Sequence, residues 1–335
     1  MRMKKGQVSE MKESKLAYLI CGIFMILVIL VICMLSIRSV KKGGPIMVLA
    51  DQGELRNAIE IPLSEASDIS VIYTSDNIKI YPAEENVVVI KEYLSSRRED
   101  ALATVSIEDG KATVIGGRRD PLNFRFWMSV NERIEIYLPK EGMDYLGIQV
   151  SSGNITTEEI FSINAKTVDI EAKSGNVRWQ DTVAENIDVE TSSGNLRIDK
   201  IQADTLKFTA KSGNVAAHDI SGRAEITASS GNVTVTGFEG EGEISTQSGN
   251  IKAETDKVTG DISLEAGSGN VKLTVPQELA FEVEINTGSG NINTDYDENI
   301  SYNKEGNHAA GVVGTEAVVK LLLKAGSGNV SLKTT

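Results

Sequence analysis

The sequence predicts an all-β chain built as a β-solenoid, with coils of about 19 residues that hold two short strands each, preceded by one N-terminal transmembrane helix. Three observations predict it. Ser-Gly-Asn followed by Val, Ile or Leu occurs nine times, apolar and polar residues alternate around each copy, and Leu16 to Ile37 is a run of 22 residues without a charge.

The first element is the apolar run, "LAYLICGIFMILVILVICMLSI", about the length a helix needs to cross roughly 30 Å of hydrocarbon. It ends in Ser36-Ile37-Arg38-Ser39 without the small-residue cleavage pattern of a secretory signal, so a retained anchor is expected. Cys21 and Cys33 follow Ile20 and Ile32 instead of the small residue that cysteine lipidation needs, which makes them lipid-facing or packing residues. Arg2, Lys4, Lys5, Lys12 and Lys15 precede the span, against Arg38, Lys41 and Lys42 after it, a mild bias toward a cytoplasmic N-terminus. Both cysteines of the chain lie in the span, and a thiol-free remainder suits an oxidising exterior. The expected layout is a cytoplasmic tail at 1–15, the helix at 16–37, a juxtamembrane linker at 38–66, N-terminal β coils and cap at 67–145, and the Ser-Gly-Asn solenoid at 146–335, all of the β-structure outside the cell.

Charge divides unevenly along this layout. Residues 1–42 hold 8 basic and 2 acidic residues, leaving 26 basic against 45 acidic beyond them, a net of −19. That excludes a nucleic-acid binder, whose affinity rests on neutralising phosphates, and disfavours close adhesion to an anionic membrane surface. It keeps an extended surface soluble.

After Lys41-Lys42-Gly43-Gly44-Pro45, which will not continue a helix, alternation begins at Ile69 with "ISVIYTSDNIKIY", "NVVVIKEYL" and "ATVSIEDGKATVIGG". Asp109-Gly110 is a two-residue hairpin signal between Val- and Ile-rich strands. "NERIEIYLP" and "YLGIQVSSGNI" follow, and from Leu146 the repeat takes over. Successive motif glycines are 22, 19, 19, 18, 18, 20 and 21 residues apart, and the last gap of 38 matches two periods of 19 with one marker lost. Counting from the motif serine as zero, positions −6 and −4 are apolar (Val168 and Ile170, Ile187 and Val189, Leu206 and Phe208), −2 is small (Ala172, Thr191, Ala210), and +3 and often +5 are apolar again (Leu196 and Ile198, Val233 and Val235). Each repeat therefore has two strands with one face inside, joined at Ser-Gly-Asn.

Gly-Asn is also a two-residue hairpin turn, so an antiparallel meander fits the same pattern. An open sheet of that many strands needs a cover, and no helical segment remains to supply one. A solenoid closes the core on itself, and at roughly 4.8 Å per coil about ten coils give a rod on the order of 50 Å long.

In that arrangement the motif is a corner. Gly153, Gly175, Gly194, Gly213, Gly231, Gly249, Gly269, Gly290 and Gly328 supply backbone angles that a Cβ forbids. Asn154, Asn176, Asn195, Asn214, Asn232, Asn250, Asn270, Asn291 and Asn329 both donate and accept, so their stacked amides can bond along the axis. The serine is small enough for the inner side of the bend. Neutral asparagine at the corner argues against the calcium-binding solenoids, whose turns repeat an aspartate. Glu158, Asp181, Asp199, Asp219, Glu254 and Asp295 fall four or five residues after their asparagines, and one stacked column of six acids would favour divalent cations; solvated charges splayed outward are the alternative.

Catalytic residues are not predicted. The acids are periodic instead of clustered, His218 and His308 sit in different repeats, and no metal-ligand spacing, phosphate loop or cofactor motif appears. A β-helical enzyme acting on polysaccharides is the least favoured alternative. One non-repetitive stretch, "RRDPLNFRFW", gathers Arg118, Arg119, Phe124, Arg125, Phe126 and Trp127 between a hairpin and the strand at Ile134. This composition suits a protein or glycan contact, or aromatics that cover the open N-terminal end of the core.

The run "IEIYLPKEGMDYLGIQVSSGNI", followed by recurrent "SGNV" corners, resembles the bacterial putative-adhesin family of β-solenoid domains, over about residues 66–335. The resemblance implies a right-handed β-helix-like domain displayed outside the cell from a membrane anchor, with no catalytic residues and no cofactor. Two roles follow from it: a non-catalytic binding or adhesin-like surface module that contacts a cell-surface glycan or another envelope protein, or an accessory protein of envelope-stress sensing. The missing marker between Gly290 and Gly328 leads to the expectation of a protruding loop around Tyr302 to Gly314.

Overall fold

The computed structural model describes residues 50–51, 53–118, 129–130, 132–158 and 161–335. The expected helix at 16–37 and the basic tail lie outside them; among the described residues no helix is long and apolar enough to cross a membrane. The chain divides into two compact units, Met1–Asp51 with Arg125–Ser129, and Gln52–Phe124 with Val130–Thr335. The second holds every Ser-Gly-Asn repeat.

The repeats stack as parallel coils. Met143–Ser152, Ile163–Ser174, Val177–Ser193, Leu196–Ser212, Val215–Ser230, Val233–Ser248 and Ile251–Ser268 each pair in parallel with the next, and the register sets Ser152, Ser174, Ser193, Ser212, Ser230, Ser248 and Ser268 on one another. A meander would pair the two strands that flank one motif, so the solenoid holds. Inside, the predicted positions are buried: Val168, Ile170, Val189, Leu206, Phe208, Leu196 and Ile198 are nearly inaccessible. Trp179 is buried with them, its indole N–H donating to Thr182 Oγ1 at 2.9 Å.

Two local expectations are corrected. From Val177 to Ser268 each coil is one bent strand of 16–18 residues instead of two short ones. Ladder bonds run along the stack, across the chain direction, so a bend repeated in every coil leaves them intact. That second bend uses the left-handed residues Asp181, Lys200 and Asp219, at φ 55°, 56° and 52°. The motif serines, expected inside, are exposed; the residue that points inward beneath the corner is the small one two positions earlier, such as Ala172 or Thr191.

At the corner, neighbouring coils approach too closely for a side chain on glycine. A Cβ on Gly213 would lie 1.7 Å from the carbonyl oxygen of Gly194, and one on Gly194 would lie 1.8 Å from that of Gly175. Asn176 donates its backbone N–H and its amide to Asn154 Oδ1 at 2.9 and 3.2 Å, and the same pair of bonds recurs at Asn195, Asn214, Asn232, Asn250 and Asn270. Where position −2 is threonine, its hydroxyl donates to the corner glycine of the coil below: Thr191 to Gly175 O at 2.9 Å and Thr246 to Gly231 O at 3.0 Å. The ladder starts one coil earlier than the motif, since Asn154 donates to Asn77 Oδ1 at 3.1 Å. Ser75-Asp76-Asn77 is thus a tenth corner, with aspartate in the glycine position. The coil beyond it carries no Ser-Gly-Asn motif; Ile134 N–H donates to Asn77 O at 2.9 Å and Gly116 N–H to Ile72 O at 2.8 Å.

Both ends depart from chain order. Asp68–Tyr73 and Ile78–Pro82 form the coil beside Met143–Ser152 and Ile155–Thr157, while Lys111–Ile115 and Arg133–Leu138, later in sequence, stack on its other side. Antiparallel strands close this end. Thr104–Glu108 folds onto Lys111–Ile115 through the predicted Asp109-Gly110 turn, Val87–Leu94 lies on Arg133–Leu138, and Glu54–Pro62, within the stretch read as linker, lies on Val87–Leu94. Buried Glu92 ties this cap together, accepting from Ala103 N–H at 2.7 Å, Asn57 Nδ2 at 2.9 Å and the Tyr73 hydroxyl at 3.2 Å.

At the other end the last coil in sequence is inserted beneath the one before it. Val319–Ser327 pairs with Ile251–Ser268 on one side and with Phe281–Thr287 on the other, and the ladder runs Asn270, Asn329, Asn291. The 38-residue gap therefore hides no coil with a lost marker, and the expected loop around Tyr302 to Gly314 is a cap: His308–Val313 pairs antiparallel with Phe281–Thr287, and Ile300–Tyr302 pairs with His308–Val313. Without it the strand Phe281–Thr287 would be an open edge.

The corner yields a graded prediction. Asn214→Ala deletes the amide bond to Asn195 and both bonds that Asn232 makes to Asn214, and should cost about 1–2 kcal/mol. Gly213→Ala forces the coils apart at a φ of 151° and should cost about 3 kcal/mol or more. Urea unfolding midpoints check both; an Asn214→Ala midpoint equal to wild type would remove the ladder from the account of stability.

Candidate functional site

Three strand segments share one pattern: Ile78-Lys79-Ile80-Tyr81, Ile90-Lys91-Glu92-Tyr93 and Ile134-Glu135-Ile136-Tyr137. In each, alternation turns the second and fourth residues outward. The three strands are neighbours in the N-terminal cap, with Tyr81 opposite Tyr137, Lys91 opposite Glu135 and Tyr93 opposite Arg133. Three tyrosines and three cations separated in sequence thus meet on one outward sheet face.

Their geometry is tightly coupled. The Tyr81 and Tyr137 rings stack with centroids 5.3 Å apart at 25°. Lys91 Nζ stands 4.3 Å from the Tyr137 centroid, and the Arg133 guanidinium carbon stands 3.9 Å from that of Tyr93. Glu135, nearly buried, accepts from Arg133 Nε at 2.8 Å and from the Tyr137 hydroxyl at 2.9 Å. Lys79 pairs with Glu158 at 2.8 Å, and that bond raises the lysine above its ordinary value. Burial raises all three tyrosines, and at Tyr137 the Glu135 carboxylate adds to it. The neutral rings offer large, rigid, amphipathic contact area with fixed cations beside them, the composition of binding hot spots.

The family model for the Toastrack DUF4097 domain matches residues 66–333. The chain belongs to the Toastrack family. The match takes in every coil from Asp68 onward and leaves the cap strand Glu54–Pro62 outside it. Comparison with the curated proteins found no match. Crystal structures of putative adhesins are similar to this Toastrack chain. One from Bacteroides fragilis NCTC 9343 has 14% identity and a TM-score of 0.44, covering 84% of this chain and 99% of that one. One from Parabacteroides distasonis ATCC 8503 has 13% identity and a TM-score of 0.37, covering 84% and 98%. A third, from Parabacteroides merdae ATCC 43184, has 16% identity and a TM-score of 0.32, covering 84% and 98%.

The six acids of the Toastrack coils fall in two adjacent rows instead of one column. Glu158, Asp199, Glu254 and Asp295 are four residues after their asparagines, and Asp181 and Asp219 are five after theirs. Gln180 separates Glu158 from Asp199, His218 and Thr236 separate Asp199 from Glu254, and Lys200 separates Asp181 from Asp219. Asp199 pairs with Arg197 at 2.9 Å and Asp295 with Lys333 at 2.8 Å; the Lys333 bond holds the Asp295 carboxyl below its ordinary value. Asp181 and Asp219 line an open groove of about 440 Å³ together with Lys200 and Asp256. Among the described residues no group of three or more histidines, cysteines and acids is arranged to hold a metal ion. His218 Nδ1 lies 2.6 Å from Thr236 Oγ1 and His308 Nδ1 lies 2.7 Å from Asn286 Oδ1, so each ring meets a neutral partner. Arg118 is exposed, its backbone N–H bonded to Asp100 O at 2.8 Å; Arg119, Phe124, Arg125, Phe126 and Trp127 lie outside the described residues.

Alkaline titration tests the tyrosine cluster of the Toastrack domain. Followed by phenolate absorbance, Tyr81, Tyr93 and Tyr137 should ionise above the ordinary value of 10.0, and Tyr302, raised by burial and then by its hydrogen bond to Asp297, at about 12. A raised folded value means stability that is full below the unfolded value and lost as pH rises through the folded one. The cap should therefore weaken only in strong alkali, and Tyr137→Phe should remove one late-ionising phenol; ionisation of all tyrosines at the ordinary value would rule out the clustered geometry.

Proposed function

We propose that the chain is a non-catalytic, adhesin-like binding module, anchored in the cell membrane by Leu16 to Ile37 and displayed outside the cell, and that the tyrosine face is its contact surface for a cell-surface glycan or another envelope protein. The observation that supports this reading is the convergence of Tyr81, Tyr93 and Tyr137 with Lys91 and Arg133 on a rigid three-stranded platform. Aromatic and arginine side chains carry most of the energy of binding surfaces, the aromatic rings because they bury large area at little cost in rotamer entropy. Their rings and cations are already locked against one another, so a partner meets a preorganised surface.

The test is binding of the full chain to isolated envelope glycan and to intact cells. Tyr81→Ala with Tyr137→Ala should weaken binding at least ~10-fold, the effect of losing one hot spot of about 1.4–2 kcal/mol. Asn214→Ala should lower the unfolding midpoint and leave binding nearly intact. Undiminished binding by the double tyrosine variant would move the contact surface elsewhere.

A further inference from the structure

At the N-terminal end of the stack, two strands have a neighbour on one side only among the described residues: Glu54–Pro62, paired with Val87–Leu94, and Thr104–Glu108, paired with Lys111–Ile115. An unpaired edge is a template for another strand, and proteins blunt such edges with charges, proline or a bulge. Glu54–Pro62 carries all of these: Glu54, Arg56 and Glu60, a register shift between Leu55 and Asn57, and Pro62 at its end. Thr104–Glu108, with the sequence Thr-Val-Ser-Ile-Glu, has neither proline nor bulge, and its one charge stands at its last residue. Every residue of it is exposed.

The hairpin fixes what this edge presents. Its two-residue turn at Asp109-Gly110, with φ 50° and 76°, makes Glu108 and Lys111 a hydrogen-bonded pair. Alternation then commits the backbone groups of Thr104 and Ser106 to Lys111–Ile115 and turns the N–H and C=O of Val105 and Ile107 to the free edge. Their side chains lie opposite buried Val114 and Ala112, so they continue the inward face past the outermost coil, yet they are 43% and 38% exposed. A second copy of the same strand complements both features. Turned antiparallel about a two-fold axis through Ser106, it sets Val105 of each copy against Ile107 of the other, and each such pair exchanges both of its N–H···O bonds. Thr104 then faces Glu108 of the other copy, so no like charges are opposed. A shift of one residue would set Val105 against Ser106, whose backbone groups are already committed. A shift of two would set Ile107 against Ala103, whose N–H is held by Glu92.

We propose that two copies of this chain pair through Thr104–Glu108 into a two-fold dimer, the β-ladder continuing from one copy into the other. The contact uses the same edge on both partners, so it closes at two and does not propagate. Backbone bonds and the burial of Val105 and Ile107 drive it, while the acidic charge of the coils opposes it, so association strengthens as salt is added. A strand of this length buries far less than a standard interface of roughly 1,600 Å², which makes the dimer weak in dilute solution.

Cysteine cross-linking of the full chain in mild detergent tests the register, in a Cys21→Ser, Cys33→Ser background so that each introduced thiol is the only one. Ser106→Cys should oxidise to a disulfide-linked dimer, because a non-hydrogen-bonded antiparallel pair holds its Cα atoms about 4.5 Å apart. Thr104→Cys alone and Glu108→Cys alone should cross-link at least ~10-fold less, since each meets its own copy only about 14 Å away, and an equimolar mixture of the two should restore the cross-link. Sedimentation of wild type should show monomer and dimer and nothing larger, with more dimer at ~500 mM than at ~20 mM salt. Val105→Lys with Ile107→Lys should stay monomeric; the cysteine mixture, which keeps both residues, decides the matter where that variant unfolds. A wild type monomeric at ~100 μM in high salt, a dimer that dissociates as salt is added, or equal cross-linking at positions 104, 106 and 108 overturns the proposal. So does a Ser106→Cys chain that in intact cells cross-links to a different envelope protein and never to itself, which would make the edge a site for a foreign strand.

Discussion

The contact on which the rest of the structure depends is the seating of each corner glycine on the carbonyl oxygen of the glycine one coil below. With room for no Cβ there, the coils close to ladder distance, and every position of the repeat is forced into register with its equivalents. The close approach disturbs the backbone ladder at one residue per coil. Gly194 N–H still reaches Ser212 O and Leu196 N–H reaches Asn214 O, but the asparagine N–H between them turns to the side-chain oxygen of the asparagine below. This is why the third motif residue is asparagine: it supplies the acceptor that the corner amide needs and a donor for the same atom. The glycine carbonyl is the complementary group, and the inward threonine hydroxyls at Thr191, Thr246 and Thr287 bond to it.

Because that contact repeats, it was legible. Period, corner, inward apolar positions and the Asp109-Gly110 hairpin could all be read from spacing and alternation. What could not be read are the places where the repeat is broken by a single residue or by order. Asp76 in a glycine position concealed the first corner, though "SDNI" differs from the motif in one residue. The order of coils at the ends was hidden because parallel pairing carries no sequence mark of which neighbour a strand takes; only the 38-residue gap hinted at it, and it was open to a simpler reading. The acids were misplaced because a count of four or five residues after asparagine straddles the second bend, and one residue there moves a side chain to another row.

The tyrosine face was missed for a different reason. Its residues belong to strands whose adjacency follows from the cap topology, and 43 residues lie between Tyr93 and Tyr137. A signal was nonetheless present: three strand segments of the form Ile-charged-x-Tyr put a charge and an aromatic ring at successive outward positions. Glu92, the one charged residue at an inward position of those segments, marked the second feature of the cap, a buried carboxylate that accepts from Ala103, Asn57 and Tyr73. Outward aromatics and inward charges are the exceptions that alternation is best suited to expose.

The two ends of the stack are built differently. Val330–Thr334, the last strand in sequence, lies between Val271–Val275 and Ile292–Thr294, with parallel partners on both flanks. At the opposite end the antiparallel strands Val87–Leu94 and Thr104–Glu108 cap the outermost coil. An incoming coil would meet antiparallel strands at the N-terminal end, whereas at the other end Ile292–Thr294 has a strand partner on one side only among the described residues. Two kinds of lateral surface remain. The coil sides repeat at the ladder spacing, and a repeating surface is best matched by something with the same repeat. The cap face does not repeat: its tyrosines, Arg133 and Lys91 come from three strands in one irregular arrangement, and a surface without translational copies can select a single partner in a single pose. The topology itself therefore separates periodic sides from an aperiodic cap.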